Sequence, residues 1–338
     1  MSRIHKIAKM RELTAIAFIV VLFGIVGIMN PAFLQISNIL LVLNGSVVPT
    51  ILSIGIAFVL ITGEIDVSIA ATMGFTAAVC GSMIRDGHSW SSAIFTAIAI
   101  GILIGIINGF GVNLLRVPSI IMTLGTNGII RGISYLYTNG KWVENVPFEF
   151  KQIAQKNIAG LSVFYLCTIL VAIGIVILMR YTHRGRYFAA IGDNQAGATL
   201  VGIPVKFTKI SAFVLSGLFA AAAGIIFVAR TGFVTPTSGS GFEMSAIAAC
   251  VLGGISLSGG VGSLVGAAFG AIIMSSISRL LVFTGISSDY SNTITGILLI
   301  TIVVTDAMLQ MHSKERARRE RLTARISHGS ANSGGEVS

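Results

Sequence analysis

Long apolar runs alternate with short polar segments along most of the chain. A membrane-spanning helix needs about 20 apolar residues, with a range of about 17–25. Ten runs come close to this length, and they cover residues 13–29, 40–61, 67–84, 92–115, 120–137, 161–179, 210–228, 244–258, 261–281 and 293–308. The pattern predicts an all-α integral membrane protein with about ten transmembrane helices.

The composition supports the same class. Of the 338 residues, 54% are hydrophobic and only 11% are charged, and the mean hydropathy is +0.88. No soluble globular domain needs this much apolar surface. A net charge of +10 could indicate nucleic-acid binding, but the cations lie in loops and tails beside the apolar runs, as membrane topology requires. We therefore predict no nucleic-acid partner.

The distribution of charge predicts that both termini are cytoplasmic. If the N-terminus lies inside, sixteen cationic side chains fall on the inner side and five on the outer side. Trp90 and Trp142 then lie in outer loops near helix ends, where indole rings favour the membrane interface. The predicted division is a cytoplasmic basic N-tail (1–12), a transmembrane domain (13–308) and a basic, partly disordered cytoplasmic C-tail (309–338).

The longest polar interruption covers residues 180–209 and carries five cations and one acid. Asp193 or Asn194 is a suitable N-cap for a short helix, and Gly202 followed by Pro204 would end it. A helix of about two turns is not stable alone in water, so it must dock on its own membrane domain or on another protein. An ordinary solvated basic loop is the alternative interpretation.

Two glycine-containing turns resemble each other. Residues 63–68 read GEIDVS and residues 253–258 read GGISLS, and each turn follows an inward-running span. Membrane transporters place hinges and ligand-facing backbone at broken helices of this kind. We predict helix breaks at 63–68 and 253–260, with these pathway or hinge candidates: Gly63, Asp66, Ser68, Gly253, Gly254, Ser256, Gly259 and Gly260.

Other small residues and two arginines also stand out within the apolar runs. Glycines recur every four positions at Gly101, Gly105 and Gly109 and again at Gly262, Gly266 and Gly270, which predicts close packing of helix faces. The segment 216–224, SGLFAAAAG, has the same property. Arg131 lies deep in LGTNGIIRGISY, where it either lines a path or caps carbonyl groups. Arg279 is close enough to the outer end to reach the interface.

The sequence contains no recognisable catalytic constellation. All five histidines lie in tails or loops, and Cys80, Cys167 and Cys250 show no metal or redox spacing. The P-loop motif G-x-x-x-x-G-K-[ST] is absent. We predict a non-enzymatic protein that binds no cofactor or metal itself. Asp66 and Glu64 leave open an ion-coupled secondary carrier for a small polar solute, because such carriers use buried acids.

Four segments occur in a characteristic order: TGEIDVS, LGTNGIIRGISY, GRYFAAIGDNQAGATLVGI and EMSAIAACVLGGISLSGGVGSLVGAAFGA. Together they resemble the membrane permease subunits of bacterial ABC importers of the ribose, xylose and autoinducer-2 type, over nearly the whole chain. TNGKWVENVPFEFKQ and GDNQAGA look closest to the autoinducer-2 permease and its rhamnose-type relatives. Glu64 and Ala70 depart from the family, which usually has glycine at these points of the junction.

The resemblance implies a multi-pass protein of the bacterial inner membrane, embedded in membrane lipid. It implies three partners: a cytoplasmic ATPase that uses the ATP, an extracytoplasmic solute-binding protein, and a second permease, either a further copy or a sister subunit. The ATPase would dock on the short helix, and the implied coupling residues are Gly192, Asp193, Asn194, Ala196, Ala198, Leu200 and Gly202. Autoinducer-2, rhamnose and ribose all remain possible ligands.

Overall fold

A computed structural model describes residues 17–308, except 22, 29, 286, 288–289, 302 and 306–307. The predicted N-tail (1–12) and C-tail (309–338) lie outside the described residues. A 3₁₀ turn, Pro31–Leu34, precedes twelve helices that we number α1 to α12. These are α1 Ile36–Gly45, α2 Val47–Ile61, α3 Ile69–Arg85, α4 Trp90–Asn113, α5 Ser119–Thr138, α6 Phe148–Gln155, α7 Val163–Tyr181, α8 His183–Asp193, α9 Gln195–Leu200, α10 Val205–Thr231, α11 Phe242–Leu252 and α12 Leu264–Phe283.

The described chain is predominantly helical, as the apolar pattern predicts. Four helices, α4, α7, α10 and α12, are long and apolar enough to cross a membrane, and α1 with α2, bent by 43°, forms a fifth candidate. Shorter apolar helices include α3 and α11, and helical residues also occur within Ala17–Ile28 and Tyr290–Thr305 outside the gaps given above. The count of ten spans stays a prediction. The one sheet among the described residues is a small hairpin, Asn157–Ile158 with Leu161–Ser162.

Helix α2 lies at the centre of the packed domain. Every residue of α2 except Pro49 is buried, so this helix has no polar face and its apolar surface is covered on all sides. The longest helix, α10, packs against α2, α3 and α4. The central core therefore forms where α2, α3, α4 and α10 meet. Phe213 of α10 is fully buried in this core.

The glycine spacing of α4 gives the close packing that the sequence predicts. A Cβ atom on Gly101 would overlap the carbonyl oxygen of Gly217, and one on Gly105 would overlap that of Phe213. A Cβ atom on Gly109 would lie 3.0 Å from the Cα atom of Ile210. The backbones of α4 and α10 therefore touch directly, and small residues on both helices make this possible.

The second glycine series was only partly predicted. Gly266 packs on the carbonyl group of Gly253, and Gly270 on that of Ala249, so these two residues bring α11 and α12 together. Gly262 does not belong to the same helix face, because α12 begins at Leu264 and Gly262 has a φ of +150°. The side chain of Ser263 accepts a hydrogen bond from the amide of Gly266 and starts the helix after Gly262.

We expect Gly217→Ala to lower the yield of folded protein and to destabilise it by about 1–3 kcal/mol, the usual cost of adding a methyl group to a packed core. The added methyl would overlap backbone of α4, which cannot rotate away as a side chain can. Denaturation in detergent, followed by size-exclusion profile, measures the effect. Gly128→Ala in α5 is the matched control, since nothing lies within 4 Å of its added Cβ atom. Equal stability of the two variants would contradict the packing argument.

The polar segment 180–209 is more ordered than a loop. Its ends belong to α7 and α10, and between them lie two helices, α8 and α9. The short helix predicted after Asp193 or Asn194 is confirmed as α9, whereas α8 was not predicted because its sequence is largely polar. Thr182 is the N-cap of α8, and its hydroxyl accepts a hydrogen bond from the amide of Gly185.

Candidate functional site

Turns that are far apart in sequence meet at one end of the domain. We call the residues Ile61, Gly63, Gly192, Gly259 and Gly260 the junction cluster. The amide of Gly260 donates a hydrogen bond to the carbonyl oxygen of Ile61 at 2.9 Å. A Cβ atom on Gly259 would lie 2.7 Å from the amide nitrogen of Gly63. The structure therefore brings together one predicted coupling residue and three predicted hinge residues.

Gly192 has the tightest surroundings in the junction cluster. It lies in α8, and a Cβ atom there would overlap both the carbonyl oxygen of Ile61 and the amide nitrogen of Gly260. Both neighbours are backbone atoms, so no side-chain movement could make room. At Gly192, α8 therefore contacts the backbone at the start of the first break and the backbone within the second break.

Both predicted breaks lie between helices. Residues 62–68 separate α2 from α3, and residues 253–263 separate α11 from α12. Gly63 and Gly259 have φ angles of +82°, which glycine adopts without strain. In the second break the amide of Ser256 donates to the carbonyl oxygen of Val261 at 3.0 Å, and Gly254 has a φ of +86°. Both predicted breaks are thus confirmed as non-helical turns.

Helix α9 has the capping that the sequence predicts. The side-chain oxygen of Asn194, rather than that of Asp193, accepts a hydrogen bond from the amide of Gly197 at 2.8 Å. Asp193 is the last residue of α8. Gly202 follows the helix with a φ of +81°, and Pro204 precedes α10. Helix α9 thus has both the start and the end that its sequence predicts.

Helix α9 buries one side and leaves another uncovered. Ala198 is 5% exposed, whereas Leu200 is 88% exposed and Val201 is 75% exposed. Ala196 is also exposed. Two neighbouring apolar side chains on a polar segment form a small surface that a partner could cover.

A partly buried ion pair links α9 to the first helix break. The ammonium group of Lys209, in α10, donates to the carboxylate of Glu64 at 2.6 Å and to the side-chain oxygen of Gln195 at 2.9 Å. The Lys209 side chain is 9% exposed and that of Glu64 is 18% exposed. One cation therefore ties α9, α10 and the turn after α2 together. Sequence reasoning noticed Glu64 as a departure from the family but did not identify its partner.

Asp66 is the centre of a second buried network. It is 2% exposed, and its carboxylate accepts hydrogen bonds from the Ser216 hydroxyl (2.7 Å), the Ser68 hydroxyl (2.6 Å) and the Ser68 amide (2.9 Å). Asn108 donates to the Ser68 hydroxyl at 2.8 Å, and Thr126 donates to Asn108 at 2.7 Å. The network joins α4, α5 and α10 to the first break. Asn108, Thr126 and Ser216 were not predicted, because single polar residues in apolar helices carry no spacing signal.

We expect Asp66→Asn to destabilise the protein by about 1–3 kcal/mol, because an amide nitrogen would replace one acceptor oxygen and leave a buried donor unpaired. Chemical denaturation of the purified variant measures this loss. Asp86→Asn is the matched control, since Asp86 is an exposed acid that pairs with Arg85. If the two variants unfold at the same denaturant concentration, the network does not hold the first break in place.

Arg131 does not join either network. Its guanidinium donates to the carbonyl oxygen of Ser238 at 2.8 Å, so it caps backbone, which is one of its two predicted roles. Gly253 packs on Gly266 of α12. Among the described residues of 17–308, no group of three His, Cys, Asp or Glu side chains is placed to hold a metal ion.

Comparison with known proteins gives a single picture. Residues 38–303 match the family described as branched-chain amino acid transport system / permease component. The protein named autoinducer 2 import system permease protein LsrC of Enterobacter sp. (strain 638) is 41% identical over 303 residues, 89% of this chain and 88% of that protein. The protein of the same name from Escherichia coli O9:H4 (strain HS) is 37% identical over 311 residues, 92% of this chain and 91% of that protein.

The protein of that name from Salmonella typhi is 38% identical over 317 residues, 94% of this chain and 91% of that protein. No solved structure matches the chain. The similarity covers all twelve numbered helices apart from the first residues of α1, so it includes the junction cluster and both buried networks.

Proposed function

The chain belongs to the family of branched-chain amino acid transport system permease components, and from this premise we propose that it is the permease subunit of an ATP-driven importer. It forms the membrane path, and a separate ATPase subunit hydrolyses ATP. The observation that carries this proposal is α9, which Lys209 links through Gln195 to Glu64 in the first helix break, while Leu200 and Val201 stay uncovered. The chain itself is non-catalytic and binds no cofactor.

The contacts give this importer a mechanical route. An ATPase that docks on Leu200 and Val201 pushes on α9, which follows α8 directly. Gly192 then transmits displacement to both helix breaks through backbone contact, and Lys209 transmits it to Glu64. Because packed backbone cannot be compressed, a small movement at α9 shifts the helices between inward-open and outward-open arrangements.

The proposed ligand is autoinducer 2 or a related monosaccharide-like compound, because the similar proteins from three genera are named as autoinducer 2 permeases. A binding protein delivers it from outside, and a second permease, either a further copy or a sister subunit, completes the path. We place the protein in the bacterial inner membrane with about ten spans. The junction cluster and both termini then face the cytoplasm, in line with the charge distribution.

The ion-coupled alternative has less support in the same contacts. Glu64 is paired with Lys209, and both carboxylate oxygens of Asp66 accept hydrogen bonds from serine residues of the protein itself. A coupling acid needs an oxygen that an ion or proton can reach from the path. Neither acid therefore offers the open site that an ion-coupled carrier requires.

Uptake into proteoliposomes tests the proposal. The permease is reconstituted with the ATPase, and with the sister permease if one is encoded beside it, and labelled autoinducer 2 is supplied with its binding protein. We expect uptake only with ATP on the ATPase side, and competition by unlabelled autoinducer 2 rather than by ribose or rhamnose. Uphill uptake by the permease alone under an imposed ion gradient would overturn the proposal.

Labelling tests the proposed orientation separately. Leu200→Cys and Trp142→Cys place an exposed thiol at opposite ends of the domain, in a background that carries Cys167→Ser because Cys167 is exposed. We expect a membrane-impermeant maleimide to label Leu200→Cys only in inside-out vesicles and Trp142→Cys only in right-side-out cells. The reverse result would place α9 outside the cell, where it could not contact a cytoplasmic ATPase.

A further inference from the structure

A cavity of about 500 Å³ lies far from the junction cluster. The bend between α1 and α2, the last turn of α10, the first turn of α11, the second half of α12 and residues 291–295 line it. Helices α10 and α12 both begin near the junction cluster, so their C-terminal halves lie at the opposite end. Small-molecule sites have volumes of about 300–1,000 Å³, so the cavity has room for a solute of monosaccharide size.

Two arginines line this cavity. Arg230 comes from α10 and Arg279 from α12, and neither forms a hydrogen bond or ion pair with any described residue. They are close enough to repel each other electrostatically. No acidic side chain is among the described residues of the lining. Both arginines are exposed to solvent in this cavity, so an anion can reach the two guanidinium groups, and its charge would relieve the repulsion between them.

The rest of the lining is rich in hydroxyl groups. Ser240, Ser245, Ser278, Ser291 and Thr295 all contribute, and the hydroxyls of Ser278 and Ser291 lie 2.8 Å apart. The first turn of α11 also borders the cavity, and there the Glu243 carboxylate accepts a hydrogen bond from the amide of Gly241. The two guanidinium groups and the hydroxyl groups thus line one partly open cavity.

We propose that this cavity binds a small polyhydroxylated anion, with Arg230 and Arg279 holding the negative group and the serine hydroxyls holding the ligand's own hydroxyl groups. Guanidinium groups bind carboxylate and phosphate through paired, charge-assisted hydrogen bonds. A soluble sugar acid and the phosphate-glycerol head of phosphatidylglycerol both have this chemistry. The inference goes beyond the proposed function, because binding at this site needs neither the ATPase nor the binding protein.

Ligand binding to the full chain in phosphatidylcholine nanodiscs tests the soluble source. Gluconate is the probe, and sorbitol is the matched polyol without a carboxylate. We expect saturable binding of gluconate but not of sorbitol, with about tenfold weaker affinity in Arg230→Gln and in Arg279→Gln. Arg85→Gln is the control, because Arg85 pairs with Asp86 and does not line the cavity.

Native mass spectrometry tests the lipid source in nanodiscs that mix phosphatidylcholine and phosphatidylglycerol. Retention of phosphatidylglycerol that is lost in the double variant Arg230→Gln/Arg279→Gln would support the site with a lipid occupant. Ser245→Leu supplies a second variant, which fills the cavity without changing its charge. The proposal is overturned if neither anion binds, or if binding is unchanged in both the double variant and Ser245→Leu at normal folded yield.

Discussion

Gly192→Ala is expected to abolish ATP-driven uptake, with a loss of at least about tenfold, while the protein still inserts into the membrane. The added methyl would overlap the carbonyl oxygen of Ile61 and the amide of Gly260, and would force α8 away from both helix breaks. Overpacking of this kind costs about 1–3 kcal/mol in well-packed proteins. The contact that transmits movement would be lost even where the helices themselves remain folded.

Uptake per inserted molecule is the measurement, and the amount of ATPase that co-purifies with the permease is the second readout. We expect ATPase binding to persist in Gly192→Ala, since Leu200 and Val201 remain uncovered. Gly174→Ala in α7 is the matched control, because nothing lies within 4 Å of its added Cβ atom. Wild-type uptake by Gly192→Ala at equal expression would show that the junction cluster does not transmit force.

Lys209→Met is expected to destabilise the protein by about 3 kcal/mol, since removing one partner of a largely buried ion pair leaves the other charge uncompensated. Glu64 is only 18% exposed, so water replaces little of the lost interaction. The double variant Lys209→Met/Glu64→Met should recover most of the loss, because apolar side chains tolerate the site better than a lone carboxylate does. Denaturant unfolding of the wild type, both single variants and the double variant gives the coupling energy.

Transport separates stability from transmission in this pair. The double variant leaves Gln195 without its ammonium partner, so we expect its uptake to remain low although its stability recovers. Lys206→Met is the control, because Lys206 is exposed on the same helix, three residues before Lys209. Full recovery of uptake in the double variant would mean that the ion pair contributes to folding alone.

Local chemistry explains what the sequence predicted well. The cap residues Asn194 and Gly202 act within a few positions of α9, so their identities were enough to place that helix. The helix breaks could be predicted for the same reason, since glycine and polar residues interrupt an apolar run directly. The packing of α4 could also be predicted, because glycine at every fourth position leaves one helix face free for the backbone of a neighbouring helix.

Long-range pairing explains what the sequence did not predict. Glu64 and Lys209 are 145 positions apart, and no local pattern marks them as partners. The hydrogen-bond network around Asp66 takes one polar residue from each helix, such as Asn108 from α4 and Thr126 from α5. A single polar residue in an apolar helix cannot be told apart from ordinary sequence variation. Gly262 was grouped with Gly266 and Gly270 by spacing alone, because the sequence does not show that α12 begins only at Leu264.

Leu200 and Val201 have a consequence for the lone subunit. Burial of such a side chain contributes about 1.5–3 kcal/mol, so an unassembled copy exposes an aggregation-prone apolar patch at the membrane surface. Under the proposed function, cells that make more of this chain than of its ATPase should accumulate unassembled copies that aggregate or are degraded by quality-control proteases. The exposure of Leu200 and Val201 therefore requires that the two subunits be synthesised in matched amounts.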